Sequence, residues 1–215
     1  MTNTKGLFIT VEGVEGVGKS TNIETIKSFL TAKDVEFILT REPGGTLIAE
    51  EIRGILLNLH EEKLTEMSEL LLVFAARAQH LADIIKPALL SGKWVICDRF
   101  TDATYAYQGG GRGLSKTVIS ELEVMVQNDL RPDLTVILDL DPKIGMERAA
   151  NRGSLDRIEQ EHLEFFNKVR AVYLEIARSE PKRCVVIDAS LPIGAVQENL
   201  RAILQSKLAE YFDQL

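Results

Sequence analysis

At 215 residues, with 45% hydrophobic and 27% charged content, the chain has the length and composition of a folded globular protein, which excludes a disordered one. No apolar run is long enough to span a bilayer, and residues 1–6 lack the apolar stretch and cleavage site of a secretory signal, so a cytoplasmic protein is expected. The net charge of −7 argues against indiscriminate nucleic-acid binding but leaves anionic small ligands open, because local arginines hold phosphate on an acidic protein.

The first predicted element is a short buried strand over 7–11, followed by a helix over 20–30 with Ile23, Ile26, Phe29 and Leu30 on one stripe. Between them lies Gly13-Val14-Glu15-Gly16-Val17-Gly18-Lys19-Ser20-Thr21, which fits G-x-x-x-x-G-K-[ST], a phosphate-binding loop. Its glycines permit close backbone approach, its amides and the helix N-terminus point at an anion, Lys19 adds a mobile charge, and Ser20 offers a hydroxyl to Mg2+. A second strand is predicted over 35–39, then a loop over 40–46 punctuated by Pro43, Gly44 and Gly45. Helices follow over 49–59 and 67–90. Residues 93–98 form a buried strand, Gly109 to Gly111 a loop, and 116–128 a helix. A strand over 134–140 and a helix over 142–151, with Pro142 in its first turn, come next. A helix over 161–178, a strand over 184–187 and a closing amphipathic helix through Val196, Leu200, Ile203, Leu204 and Leu208 complete the chain. Cys97 and Cys184 sit in apolar strands and read as buried thiols.

Five strands alternating with helices imply an α/β domain with a parallel sheet covered on both faces and ligands at the strands' carboxyl ends. There is no linker or repeat, so residues 1–215 are expected to form one domain. The strand ends place the phosphate loop, Arg41, Asp98-Arg99, Asp139 and Asp141 on one rim. Trp94-Val95-Ile96-Cys97-Asp98 has the form of a strand ending in an acid that accepts from Ser20 or a Mg2+-bound water. Arg41, Arg77 and Arg99 are suited to phosphate by their planar, two-pronged donors, although a lone arginine is most often a solvated surface charge. Phe74 and Arg77 lie one turn apart on one helix. They can stack on and donate to a base, but the spacing alone favours Phe74 as core. Arg148 and Arg152 are four apart at a helix end, either a mobile arginine-bearing lid or a dipole-favoured helix terminus, and the spacing leans to the latter. His60, His80 and His162 invite no catalytic reading. No Asn-Lys-x-Asp guanine signature is present, and the length suits a small kinase. An acceptor that is itself a phosphate is largely ionised at pH 7, its second pKa being about 6, and needs no general base.

These motifs together resemble the thymidylate kinase (dTMP kinase) family of the bacterial type. The resemblance rests on the loop from Glu12 to Thr21 and on Thr40-Arg41-Glu42-Pro43-Gly44-Gly45-Thr46. It continues through Phe74-Ala75-Ala76-Arg77, Asp98-Arg99-Phe100 and Tyr107-Gln108-Gly109-Gly110-Gly111-Arg112-Gly113. Arg131-Pro132-Asp133 and Leu155-Asp156-Arg157-Ile158-Glu159 complete it, all in family order.

The resemblance implies a P-loop nucleoside-monophosphate-kinase fold with a central five-stranded parallel sheet, a lid at about 148–159, ATP as co-substrate, Mg2+, and a homodimer. Gly13, Val14, Glu15, Gly16, Val17, Gly18, Lys19, Ser20 and Thr21 would bind ATP, and Ser20 and Asp98 would hold the metal, Asp98 through water. Arg41 and Arg99 would bind the dTMP phosphate. Phe74 would stack on thymine, Arg77 would donate to its O4, and Thr104 and Gln108 would lie at the base edge. Tyr107 would disfavour a ribose 2'-hydroxyl, and Glu15 would accept from the deoxyribose 3'-hydroxyl. Lys19, Asp98, Arg99, Arg148 and Arg152 would form the catalytic set, with Arg152 the finger because Ala150 stands where some relatives carry a further arginine. Phe100 is given no polar role. The alternatives are another nucleoside-monophosphate or deoxynucleoside kinase, or a nucleotide-binding module without turnover.

Overall fold

The computed structural model of the protein describes residues 5–151 and 153–213, the side chains of 212 and 213 excepted. Five parallel strands lie in the order β2-β3-β1-β4-β5: β1 Phe8–Glu12, β2 Phe37–Arg41, β3 Trp94–Asp98, β4 Leu134–Asp139 and β5 Cys184–Asp188. The central strand β1 is buried throughout, so its alternate side chains face two different cores. Ile9 and Val11, with Trp94 and Ile96 of β3, pack against Ile23, Ile26 and Leu30 of α1 (Lys19–Ala32) and against Leu200 and Leu204 of the closing helix Ile193–Asp213. On the other face Phe8, Val95 and Cys97 meet Leu81, Ile85 and Leu89. Cys97 and Cys184 are both buried free thiols.

The helical rod over 66–90 is α3 (Glu66–His80), a π-helical turn (Leu81–Ile85) and α4 (Lys86–Leu90). The wider turn brings Leu81 and Ile85 onto the sheet together. The second strand lies two residues later than its apolar pattern suggests. β2 is a half-exposed edge strand, so its extent follows its pairing with β3, from Phe37 opposite Trp94 to Arg41 opposite Asp98. Arg41 is therefore the last residue of the strand, at the rim where it was expected.

The Gly109-Gly110-Gly111 run is not a loop. It closes a helical stretch made of α5 (Thr101–Thr104) and a π-helical segment (Tyr105–Gly111). A Cβ on Gly111 would strike the Phe165 ring of the facing helix α8 (Leu163–Ser179), so glycine here serves close helix packing. The remaining helices are α2 (Leu47–Leu57), α6 (Lys116–Gln127) and α7 (Pro142–Ala150), with α9 the closing helix. Thr46 caps α2 by accepting from Ala49 N, and Asp141 caps α7 by accepting from Lys143 N. Among the described residues no helix is long and apolar enough to cross a membrane.

Candidate active site

The parallel sheet delivers its strand ends to one rim, and there a cavity of about 430 Å3 opens. Residues 16–21 and Glu15 line it on one side, Asp98, Arg99 and Arg148 lie along it, and Glu69, Val73, Arg77, Thr104, Tyr107 and Gln108 line the other. One cavity thus joins the phosphate loop to the residues expected at a base.

The loop side is built for anions. Gly18 begins α1 from a left-handed conformation (φ 88°) with no side-chain cap, so the first amides of the helix are left for a ligand. Lys19 Nζ donates to the loop carbonyls of Gly13 (3.4 Å) and Val14 (3.3 Å). Burial, reinforced by Arg99, pushes its pKa down to about 8. Beside it Asp98 Oδ1 is buried and makes no hydrogen bond within the protein. An unpaired buried carboxylate oxygen on the wall of the cavity that Ser20 also lines suits a hydrated cation.

Arg99 reaches the middle of the cavity from a left-handed backbone (φ 69°), which costs a residue with a Cβ about 1–2 kcal/mol. The conformation is held from several sides. Arg99 N donates to Val11 O (3.1 Å), and the next amide, Phe100 N, donates to the buried Glu12 Oε1 (2.7 Å). The guanidinium donates to Gly13 O (2.7 Å) and Glu15 Oε1 (2.8 Å) and lies 4.8 Å from the Tyr107 ring centroid. Glu15 also accepts from the Tyr107 hydroxyl (2.8 Å), so the loop acid, Arg99 and Tyr107 form one hydrogen-bonded group on the cavity wall.

At the far side Arg77 is almost completely buried. Its Nε donates to Glu42 Oε2 (2.7 Å) and its Nη2 to Thr104 Oγ1 (2.9 Å), while Nη1 is buried with no partner. His80 meets the other Glu42 oxygen (3.0 Å) and Thr40 Oγ1 (2.6 Å), so this histidine supports Glu42 and has a structural role. Gln108 Nε2 donates to Glu69 Oε1 (2.8 Å).

Two expected contacts are placed differently. Arg41 does not line the cavity: its guanidinium is half exposed and pairs with Glu50 (2.8 Å). Arg53 of α2 takes a place in the wall, donating to Pro43 O (2.8 Å). Burial, then Arg41 and Arg99, lower the Arg53 pKa, so three cations repel one another around this part of the rim. Phe74 is in the core with Leu70 and Ile119, only 2% exposed, and the Arg77 guanidinium lies 4.9 Å from its ring centroid. Val73 lines the cavity in its stead. Asp139 is bound by Arg170 (2.7 Å), and Asp141 serves as the α7 cap. Arg152 lies outside the described residues, while Arg148 lines the cavity from α7.

Arg53 and Glu69 are cavity residues that were not singled out in the sequence, and each left a faint signal, whereas Arg157 stood in a quoted motif without a role. Arg53 sits four residues after the buried Ala49 and three before the buried Leu56, a charge on an apolar stripe. Glu69 and Val73 precede Arg77 at steps of four, one face of α3.

Comparison with known proteins adds independent findings. The thymidylate kinase family model matches residues 11–200. A thymidylate kinase of Pseudomonas savastanoi pv. phaseolicola is 57% identical over 94% of this chain and 97% of its own length. One from Teredinibacter turnerae is 54% identical over 94% of this chain and 99% of its own length. The crystal structure of thymidylate kinase from Ehrlichia chaffeensis superposes with a TM-score of 0.75 at 37% identity, covering 94% of this chain and 99% of that one.

Proposed function

The chain belongs to the thymidylate kinase family, and we propose that it is an ATP-dependent dTMP kinase, forming dTDP and ADP. The observation that carries the reading is the single cavity shared by the phosphate loop and Arg77. The buried, unpaired Arg77 Nη1 is a donor awaiting an acceptor, as thymine O4 supplies.

In this reading an oxygen of the dTMP phosphate attacks the γ-phosphorus of ATP. The new P–O bond forms as the bond to the β,γ-bridging oxygen breaks, and ADP leaves with that electron pair. The acceptor oxygen is already ionised, so the protein's work is positioning and charge neutralisation. The amides of residues 13–21 and Lys19 hold the ATP phosphates. Arg99 holds the acceptor phosphate with Arg53, and Arg41 adds positive potential from the rim. Arg148 and Arg152 bring charge to the transferring group from the lid at 148–159. Thr104 and Gln108 border the base, and Phe74 acts at this end through the guanidinium it underlies. Glu15 accepts from the sugar 3'-hydroxyl once Arg99 turns to phosphate, and Tyr107 closes the 2' side. Ser20 and Asp98 are the residues that would hold Mg2+, which offsets phosphate charge when bound.

We further propose one kinase domain over 1–215, working in the cytoplasm on free nucleotides as a homodimer. A panel of nucleoside monophosphates with Mg-ATP tests the activity. Turnover should be highest with dTMP; equal rates with GMP or AMP would reassign the acceptor, and ATP binding without transfer would remove the enzyme reading.

A further inference from the structure

The acceptor end of the cavity and the lid meet at one buried carboxylate. Glu69, 1% exposed, accepts from Gln108 Nε2 (2.8 Å) and Arg112 Nε (3.2 Å) on Oε1, and from Arg157 Nη2 (2.7 Å) on Oε2. Gln108 borders the expected base position, whereas Arg157 belongs to the lid. Arg157 is also tied across the end of α2, its backbone N–H donating to Leu57 O (2.9 Å) and its Nε to Leu56 O (2.7 Å). Helix C-terminal carbonyls lack partners within the helix, so the backbone N–H of Arg157 serves one of them while its guanidinium serves the other and Glu69 together. Arg112 continues the chain of contacts to Glu161 and to the Phe165 ring, 4.8 Å from its guanidinium.

We propose that Glu69 is a positioning residue that couples occupancy of the acceptor's base position to closure of the lid, by way of Gln108 on one oxygen and Arg157 on the other. The inference rests on the acceptor reading given above. A base that engages Gln108 changes what Glu69 Oε1 accepts. The carboxylate then holds Arg157, and with it residues 153–160, against the end of α2. By linkage, a lid held closed tightens the acceptor by the same factor. Burial opposes the ionised form of Glu69, but bonds from Gln108, Arg112 and Arg157 outweigh it and hold its pKa below the ordinary carboxylate range. The hub is therefore charged at neutral pH and grips two arginines by charge-assisted bonds.

The test combines hydrogen exchange with steady-state kinetics on Glu69→Gln and Arg157→Gln. In the wild type, dTMP should slow exchange at the Arg157 amide and its neighbours. In either variant that protection should disappear, KM for dTMP should rise roughly tenfold, and KM for ATP should change less than about twofold, as expected for loss of one charged bond. The double variant should be no worse than the worse single one, because both remove one coupling. Arg157→Gln breaks the bond from the solvent side and serves if Glu69→Gln fails to fold. Wild-type turnover on dTMP is measured first, and its absence overturns the acceptor reading and this inference with it. Turnover in the wild type, with dTMP still protecting the lid in both variants, overturns the coupling alone, as do additive losses in the double variant.

Discussion

Glu12 sits in an environment that runs against its chemistry. It ends β1 fully buried, accepting from Phe100 N (2.7 Å) and the Tyr173 hydroxyl (2.8 Å), beneath the turn that aims Arg99. Burial, with Asp102 adding repulsion, raises its pKa to about 8 against the pull of Arg99 and the two hydrogen bonds. A carboxyl raised in the folded state contributes stability that is complete below its ordinary pKa and lost as pH rises through the folded value. Relative to Glu12→Gln, which keeps an acceptor for Phe100 N, the wild type should lose stability between about pH 4.5 and about pH 8, by up to about 5 kcal/mol. Urea unfolding at stepped pH measures this, and a difference constant across that window would show that Glu12 ionises normally. Arg77 carries the second prediction at this scale. Its unpaired Nη1 needs an acceptor, which thymine O4 is and the cytosine amino group is not. Arg77→Lys keeps the charge but loses the fork, so the preference for dTMP over dCMP in kcat/KM should fall by roughly 10- to 100-fold. An unchanged ratio would place base selection elsewhere.

Among the elements, α7 is the one that ties the phosphate loop to the lid. Gly16 and Gly145 face each other so closely that a Cβ on either would strike the other segment's backbone, at Gly145 O and Glu15 O respectively. Backbone cannot swing aside as a long side chain does, so Gly145→Ala must push α7, and the Arg148 it carries, away from the loop. The expected result is a loss of about 1–3 kcal/mol in stability together with a weaker KM for ATP. Thermal unfolding and nucleotide titration check both, and wild-type values in both would mean that the loop tolerates the shift. The loop itself was legible in the sequence because its chemistry and its geometry coincide in nine contiguous residues between a strand and a helix. Gly16 was legible as a loop glycine, but its partner on α7 was not, since that contact exists only once the two elements pack. The Gly109-Gly110-Gly111 run misled for a related reason: glycine there clears space for Phe165 on α8, and the sequence alone presents it as a chain breaker. Arg41 and Arg53 divide in the same way. The first sits beside the Pro43-Gly44-Gly45 punctuation, whereas the second gains its place in the wall from how α2 packs on α3.

For the whole molecule, the parallel sheet and its rim followed from the alternation of strands and helices, but the strand order and the use of the helices' outer faces did not. α2, α3 and α6 present Ile48, Ile55, Leu71, Val124 and Met125 to solvent, from 47% to 75% exposed. So much exposed apolar surface on neighbouring helices is what the proposed homodimer would cover, two-fold pairing of identical chains being the commonest arrangement. The placement has a consequence for the site. Leu71 lies on the side of α3 opposite the stripe of Glu69, Val73 and Arg77 that lines the cavity, so a partner chain pressing on α3 from outside would buttress the acceptor wall. Sedimentation of the wild type should give twice the 23.9 kDa chain mass. Val124→Glu combined with Met125→Glu, neither of which lines the cavity, should yield a folded monomer by placing carboxylates where apolar cover is needed. If the buttress matters, that monomer should show a raised KM for dTMP at unchanged KM for ATP, since the phosphate loop is built on β1 and α1 instead. A wild-type monomer at micromolar concentration would remove the dimer, and a monomeric variant with unaltered KM for dTMP would leave the dimer standing while confining its role to solubility.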